Sequence, residues 1–358
     1  MKKNQKRMIG MMLLFIIIGP LSAQSTIKSG AQLETVYVGT KFFEGLSWDP
    51  AGGKLYFTTP KNSPRNVYRL DGINQAIAWM TNAPMIIGMF TGVDGRLLTS
   101  ESGIGSYLFG PNGPEDGKTL AVNSSSSAND LCQTQGGDIY FTSGTSIYHM
   151  DTAGKVSAIV TGLGKPNGII TSLDDSLLYV SESTLRYWLV YPIKNDGSVG
   201  EGSIFTQPTG TNSNTPDGMT IDQLGNLYCT GLGGLYIFSP EGEVLDFIEI
   251  PELTTNVEFG GPEQSILYIS CQDKIYSLET SVHAAYWSGG TSSLKGDVNK
   301  DGKVTIVDSL LIAQRYVGIE VEVFDETVAD VDCSGAINIV DSLLIAQLYV
   351  GLLTALPC

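Results

Sequence analysis

Five oxygen-bearing side chains stand at matching places in a repeat: Glu44 in FEGLSWDP, Asn129 in ANDL, Asn167 in PNGI, Asp217 in PDGM and Asn256 in TNVEFGG. Each lies eleven or twelve residues before the third residue of a strand-like motif, in turn KLYFT, DIYFT, LLYVS, NLYCT and ILYIS. A sixth copy, MIIGMF before RLLTS, carries the apolar Ile87 at that place. Carboxylate and amide oxygens are the ligands of hard divalent cations. Radially repeated units bring equivalent positions to one axis, where such residues become a ring of ligands.

A second set lies in the tail, where GDVNKDGKVTIVDSLLIAQRYVG returns 33 residues later as ADVDCSGAINIVDSLLIAQLYVG. Each copy has oxygen ligands at loop positions 1, 3, 5, 9 and 12 and Gly at 6, the pattern by which a short loop wraps calcium. The first loop offers Asp297, Asn299, Asp301, Thr305 and Asp308, with the Lys303 carbonyl at position 7. The second offers Asp330, Asp332, Ser334, Asn338 and Asp341, with the Ala336 carbonyl. Ser334 brings one charge fewer, so the second site is expected to be the weaker. Position 12 is Asp, not the bidentate Glu of most sensor loops, and only one helix, DSLLIAQ, follows each loop.

The elements that must position the first set follow from its period. The third residues of the motifs, Tyr56, Leu98, Tyr140, Tyr179, Tyr228 and Tyr268, are separated by 42, 42, 39, 49 and 40 residues. That spacing fits a propeller blade of four strands. Within each unit an alternating strand meets a turn such as Val93-Asp94-Gly95 and then the apolar-aromatic strand. With 42 Gly, 16 Tyr and 16% charged residues, the composition suits a turn-rich β protein. Residues 30–286 are therefore read as an all-β, six-bladed propeller. Residues 287–294 are a Gly/Ser linker, and 295–358 a small all-α calcium-binding domain.

Residues 1–23 have the form of a signal peptide, with Lys2, Lys3, Lys6 and Arg7 before the apolar run Met8–Ile18 and Leu21-Ser22-Ala23 at the cleavage position. The run is shorter than the ~20 residues of a membrane span, so secretion is expected, with no membrane partner. Cleavage leaves 17 basic residues against 37 acidic, a charge near −20. Such a surface repels phosphate backbones, which argues against nucleic acid and favours divalent cations. Of five cysteines, Cys229 and Cys271 fall in or beside repeated strands as buried thiols, while Cys333 and Cys358 could clasp the tail. The two histidines, His149 and His283, lie outside the ring motifs, and no G-x-S-x-G elbow is present. Glu101 and Glu182, in the two SES triplets, read as solvated loop carboxylates or as groups facing a substrate.

The ordered motifs F-E-G-x-x-W-D-P, P-N-G-I, P-D-G-M-x-x-D-x-x-G-N-L-Y and T-N-V-x-F-G-G-P-x-x-x-x-L-Y-I-S resemble those of the SMP-30/gluconolactonase family, through residues 38–278. The resemblance implies that Glu44, Asn167 and Asp217 hold one divalent metal at a channel mouth, and that Asn129 approaches metal or substrate. Asn256 matches a motif of less defined role. An oxygen-only site suits calcium best, with magnesium or zinc possible. Asp217, beside the metal with one oxygen free, is the expected general base for water attack on a lactone. Ser127 and Ser143-Gly144 stand where many members carry a basic residue and a D-P-P-Y-G segment, so the implied reaction class is firmer than the substrate.

The duplicated loop and helix of residues 296–351 resembles the type I dockerin, which docks exported enzymes onto cohesin domains of a scaffold. The resemblance places cohesin contacts at Ile306, Val307, Ala313 and Gln314, and at Ile339, Val340, Ala346 and Gln347. These two identical sets imply docking through either face. The expected function is a secreted metal-dependent lactonase in a polysaccharide-degrading complex. A non-catalytic binding propeller with a structural metal, and a hydrolase of other esters or phosphotriesters, are the alternatives.

Overall fold

A computed structural model describes residues 25–122, 128–208, 214–285, 295–299, 304–319, 321, 324–350, 352–353 and 356–357. The expected leader, the linker, Asp301, Lys303, Ser127 and Cys358 lie outside them.

Alternating apolar residues between Gly-rich turns form six four-stranded antiparallel sheets. Their innermost strands are Glu44–Asp49, Met89–Thr91, Ala128–Gln133, Pro166–Thr171, Met219–Ile221 and Thr254–Gly260. These pack side by side in a closed circle, giving a six-bladed β-propeller. The third residue of each motif lies on the second strand and packs between blades. Tyr56 sits among Trp79, Ile86 and Met89, and Tyr228 among Val257 and Phe259. Burying an aromatic ring there contributes ~1.5–3 kcal/mol, which explains why the motif recurs once per blade.

The sixth blade is assembled from both ends of the repeat region. Thr254–Gly260, Ile266–Cys271 and Lys274–Glu279 supply three strands, and Glu34–Val38 pairs with the last of them as the outer edge. A bridge from Ile27 to Thr280 extends this closure. The chain then passes under blade five, where Ala284 bridges Asp222.

In the tail, α1 (Ile306–Tyr316) and α3 (Ile339–Tyr349) are the two expected exit helices. The four-residue α2 (Glu326–Ala329) between them is too short to leave a periodic pattern in sequence. Val298, Ile312, Val328, Ala329, Val331 and Ile345 form the core. Ser309 and Ser342 exchange hydroxyl-to-carbonyl hydrogen bonds of 2.7 and 2.8 Å, so the helices meet about a two-fold relation.

Candidate metal centre

Four innermost strands break register at the ring position: between Glu44 and Ser47, Ala128 and Leu131, Pro166 and Ile169, and Thr254 and Asn256. A bulge there bends the strand and re-aims its side chains. The glycine after the ring residue has a separate task. A Cβ on Gly45 would lie 2.2 Å from the Ile87 carbonyl oxygen, and one on Gly88 2.6 Å from that of Asn129. On Gly168 it would lie 2.3 Å from the Asp217 oxygen, and on Gly218 2.6 Å from the Asn256 amide carbon. Each glycine thus lets the next blade bring its own ring residue against the axis.

A second device fixes the ring. The last residue of every motif is a buried Ser or Thr: Thr58, Ser100, Thr142, Ser181, Thr230 and Ser270. Ser100, Thr142 and Ser181 donate to the carbonyls of Asn129, Asn167 and Asp217 in the following blade, at 2.5, 2.7 and 2.7 Å. Thr58 and Thr230 reach one residue short, to Ile86 and Thr255. Ser270 accepts the Asn256 N–H, and Thr255 donates to Phe43, which closes the circle. These residues recur in the sequence, but their partners lie in the following blade, so recurrence alone does not reveal what they bind.

At the channel mouth the Asn129 amide donates to Asn167 Oδ1 at 2.6 Å. The Asn167 side chain in turn lies close enough to the Asp217 carboxylate to favour its ionised form. Glu44 is buried close enough for the Asp217 charge to act on it. Asn256 differs, because its Oδ1 is taken by the Val257 N–H at 2.8 Å. The four residues expected to share one site are together, and the fifth is tied to backbone.

Sequence reasoning missed Asp130. It is 8% exposed and packs over Gly88, so the side of the ring at Ile87 carries a carboxyl as well as an apolar residue. Burial raises Asp130 to about 7. Burial, then the Asp130 charge, raises Asp217 to about 8. Burial, then the Asp217 charge, holds Glu44 well above the usual carboxylate range. Lys61 and Lys165 oppose both shifts, and both lysines are exposed. Lys165 directly precedes Pro166-Asn167, which was the available signal. Desolvated carboxyls that repel one another beside amide oxygens are a donor set that fits a hard divalent cation.

Neither SES glutamate is a solvated loop group. Glu182 is fully buried and accepts the backbone N–H groups of Lys165 and, at 2.6 Å, Leu185. Glu101 accepts the Thr99 and Tyr107 hydroxyls, each at 2.8 Å. His149 pairs with Asp138 at 2.7 Å and stacks on Tyr140, away from the mouth. Cys132, Cys229 and Cys271 are buried free thiols, and Cys333 is disulfide-bonded.

In the second tail loop, carboxylate oxygens of Asp330, Asp332 and Asp341 lie within 4.8 Å of one another. Ser334 turns its N–H to Asp330 and Asp332, and its hydroxyl lies 3.3 Å from the Ala336 carbonyl. Asn338 caps α3 through the Val340 N–H and donates its own N–H to Asp341. In the first loop Thr305 and Asp308 repeat this box on α1, Asp297 is buried and Asn299 half-buried. The position-12 Asp therefore serves both helix cap and loop. Ile306, Val307, Ile339 and Val340 are 45–48% exposed, while Ala313, Gln314, Ala346 and Gln347 are half-buried beside them.

Residues 42–272 match the SMP-30/Gluconolactonase/LRE-like region, and residues 295–348 match the dockerin type I domain. A gluconolactonase of Zymomonas mobilis is 27% identical over 69% of this chain and 81% of its own. A pentonolactonase of Haloferax volcanii is 27% identical over 63% of this chain and 80% of its own. The solved gluconolactonase of Xanthomonas campestris superposes with a TM-score of 0.62 at 21% identity, over 71% of this chain and 91% of its own, and supports the fold.

Proposed function

Because the chain belongs to the SMP-30/gluconolactonase/LRE-like family and carries a type I dockerin domain, we propose that it is a secreted, metal-dependent lactonase. It opens sugar lactones to aldonic acids and joins a cohesin-bearing, polysaccharide-degrading complex through the dockerin. The observation that carries this reading is the convergence of Glu44, Asn129, Asn167 and Asp217 at one mouth of the channel. The names of the two curated relatives support lactones as the substrate class.

Glu44, Asn167 and Asp217 would hold one cation, calcium before magnesium or zinc, and each tail loop another calcium. The channel cation, when bound, polarises the lactone carbonyl and offsets the charge that develops on its oxygen. Asp217 takes a proton from the attacking water. As the bond from carbonyl carbon to ring oxygen breaks, that oxygen takes up a proton, and the product leaves as a hydroxy acid. Asn129, held by Asn167, presents its amide to the substrate. Lys61 and Lys165 supply positive potential above the carboxylates.

The test is hydrolysis of glucono-, galactono- and xylonolactone by the calcium-loaded full chain, followed by acid release at mildly acidic pH. Asp217→Asn should lower kcat by ~10²–10⁴-fold, the usual worth of a general base. Wild-type turnover in Asp217→Asn, or no turnover by the native protein, would remove the proposal.

A further inference from the structure

The innermost strands all run away from the Glu44–Asp217 mouth, and at their far ends they leave a cavity of about 340 Å³. That volume falls within the ~300–1,000 Å³ of small-molecule sites. No member of the Glu44, Asn129, Asn167 and Asp217 group lines it. Its lining includes the half-buried aromatic residues Trp48 and Phe90 and the polar residues Gln135, Glu258 and Gln264.

The aromatic wall is fixed in place. Trp48 stacks on Tyr268 at 5.9 Å and 13°, its carbonyl accepts the Thr91 hydroxyl at 2.6 Å, and a Cβ on Gly260 would lie 2.5 Å from its ring. The polar groups are only half used. Glu258 Oε1 accepts the Phe259 N–H at 2.8 Å and the Thr220 hydroxyl at 3.4 Å. Its other oxygen has no hydrogen-bond partner among the described residues, and neither have the side-chain amides of Gln135 and Gln264. Gln133 shows the contrast: its amide is spent on the Val93 N–H and the Gly137 carbonyl.

We propose that this far mouth is a second binding site, for a neutral saccharide of one or two rings, separate from the metal centre. A pyranose offers an apolar C–H face to the aromatic wall and hydroxyls that both donate and accept. Two amides and a carboxyl match that mixture. An organic ammonium only donates and would leave the amide N–H groups unpaired, and an apolar ligand would strand all three polar groups. The proposal is independent of lactone hydrolysis, since Glu44, Asn129, Asn167 and Asp217 do not line the cavity.

Calorimetric titration of the calcium-loaded full chain with methyl β-D-glucopyranoside, cellobiose and xylobiose tests it, because none of these is a lactone. One binding event is expected, retained in Asp217→Asn and weakened about tenfold by Gln264→Ala, the loss of one or two hydrogen bonds. Glu258→Ala should weaken it similarly while lactone turnover stays at the native rate. If Glu258→Ala does not fold, Gln264→Ala, in a surface turn, carries the test alone. No binding of any of the three sugars, binding lost in Asp217→Asn and unaffected in Gln264→Ala, or binding of methylammonium in their place would overturn the proposal.

Discussion

Among single residues, the buried carboxyls carry a pH dependence whose sign is fixed. In chelated protein, folded Asp130 keeps its proton to about 7 and Asp217 and Glu258 to about 8, against ~4 in the unfolded chain. Between those limits the folded state binds more protons, so stability falls as pH rises. Tryptophan fluorescence reports the propeller through Trp48, Trp79 and Trp188, and its melting point should drop by several degrees from pH 5 to pH 8 in EDTA. Saturating calcium, which binds the ionised forms, should flatten that slope. A melting point that climbs over this range in EDTA would contradict the assignment. The same residues mark the limit of reading side chains from a chain. Glu44, Asn129, Asn167 and Asp217 were visible because they recur in register. Asp130 was not, because alternation assigns neighbours to opposite faces and a bulge sends both inward.

For strands and loops, the repeat was legible in its tyrosines and turns, while its purpose at the axis was not. The glycine after Glu44, Ile87, Asn167 or Asp217 reads as an ordinary turn former, and only the next blade's ring residue shows why a Cβ is excluded. Gly168→Ala should cost ~1–3 kcal/mol by overpacking and weaken channel metal binding, since the atom displaced is the Asp217 carbonyl. Calorimetric unfolding with metal titration reads both effects. Ser181→Ala should cost ~1–3 kcal/mol, because the Asp217 carbonyl loses its buried donor. In the tail, the Ser334 substitution was legible as a missing charge. Ser334→Asp should raise calcium affinity at the second loop and leave the first unchanged, as two resolved binding steps would show.

Taken whole, the molecule pairs a symmetric tail with an asymmetric channel. The matched exposure of Ile306-Val307 and Ile339-Val340, with Ser309 against Ser342 between the helices, supports two equivalent cohesin faces. Ile306→Asp with Val307→Asp should therefore leave cohesin binding nearly intact, and the same changes at all four positions should abolish it. Loss of binding from the first pair alone would refute equivalence. The two-domain architecture was readable because each repeat has its own period. Nothing in any one blade indicates how the circle is joined.

That join sets a timetable. Val38 pairs with Lys274, and Glu34 with Ser277, so the earliest strand of the propeller waits unpaired until the latest has been made. Five blades can form in order as the chain emerges, but the sixth is a loop closure across almost the whole propeller, an entropically slow step. The same edge is where the circle would first come apart. The working life of the propeller is then governed by how often one five-residue strand, Glu34–Val38, lets go.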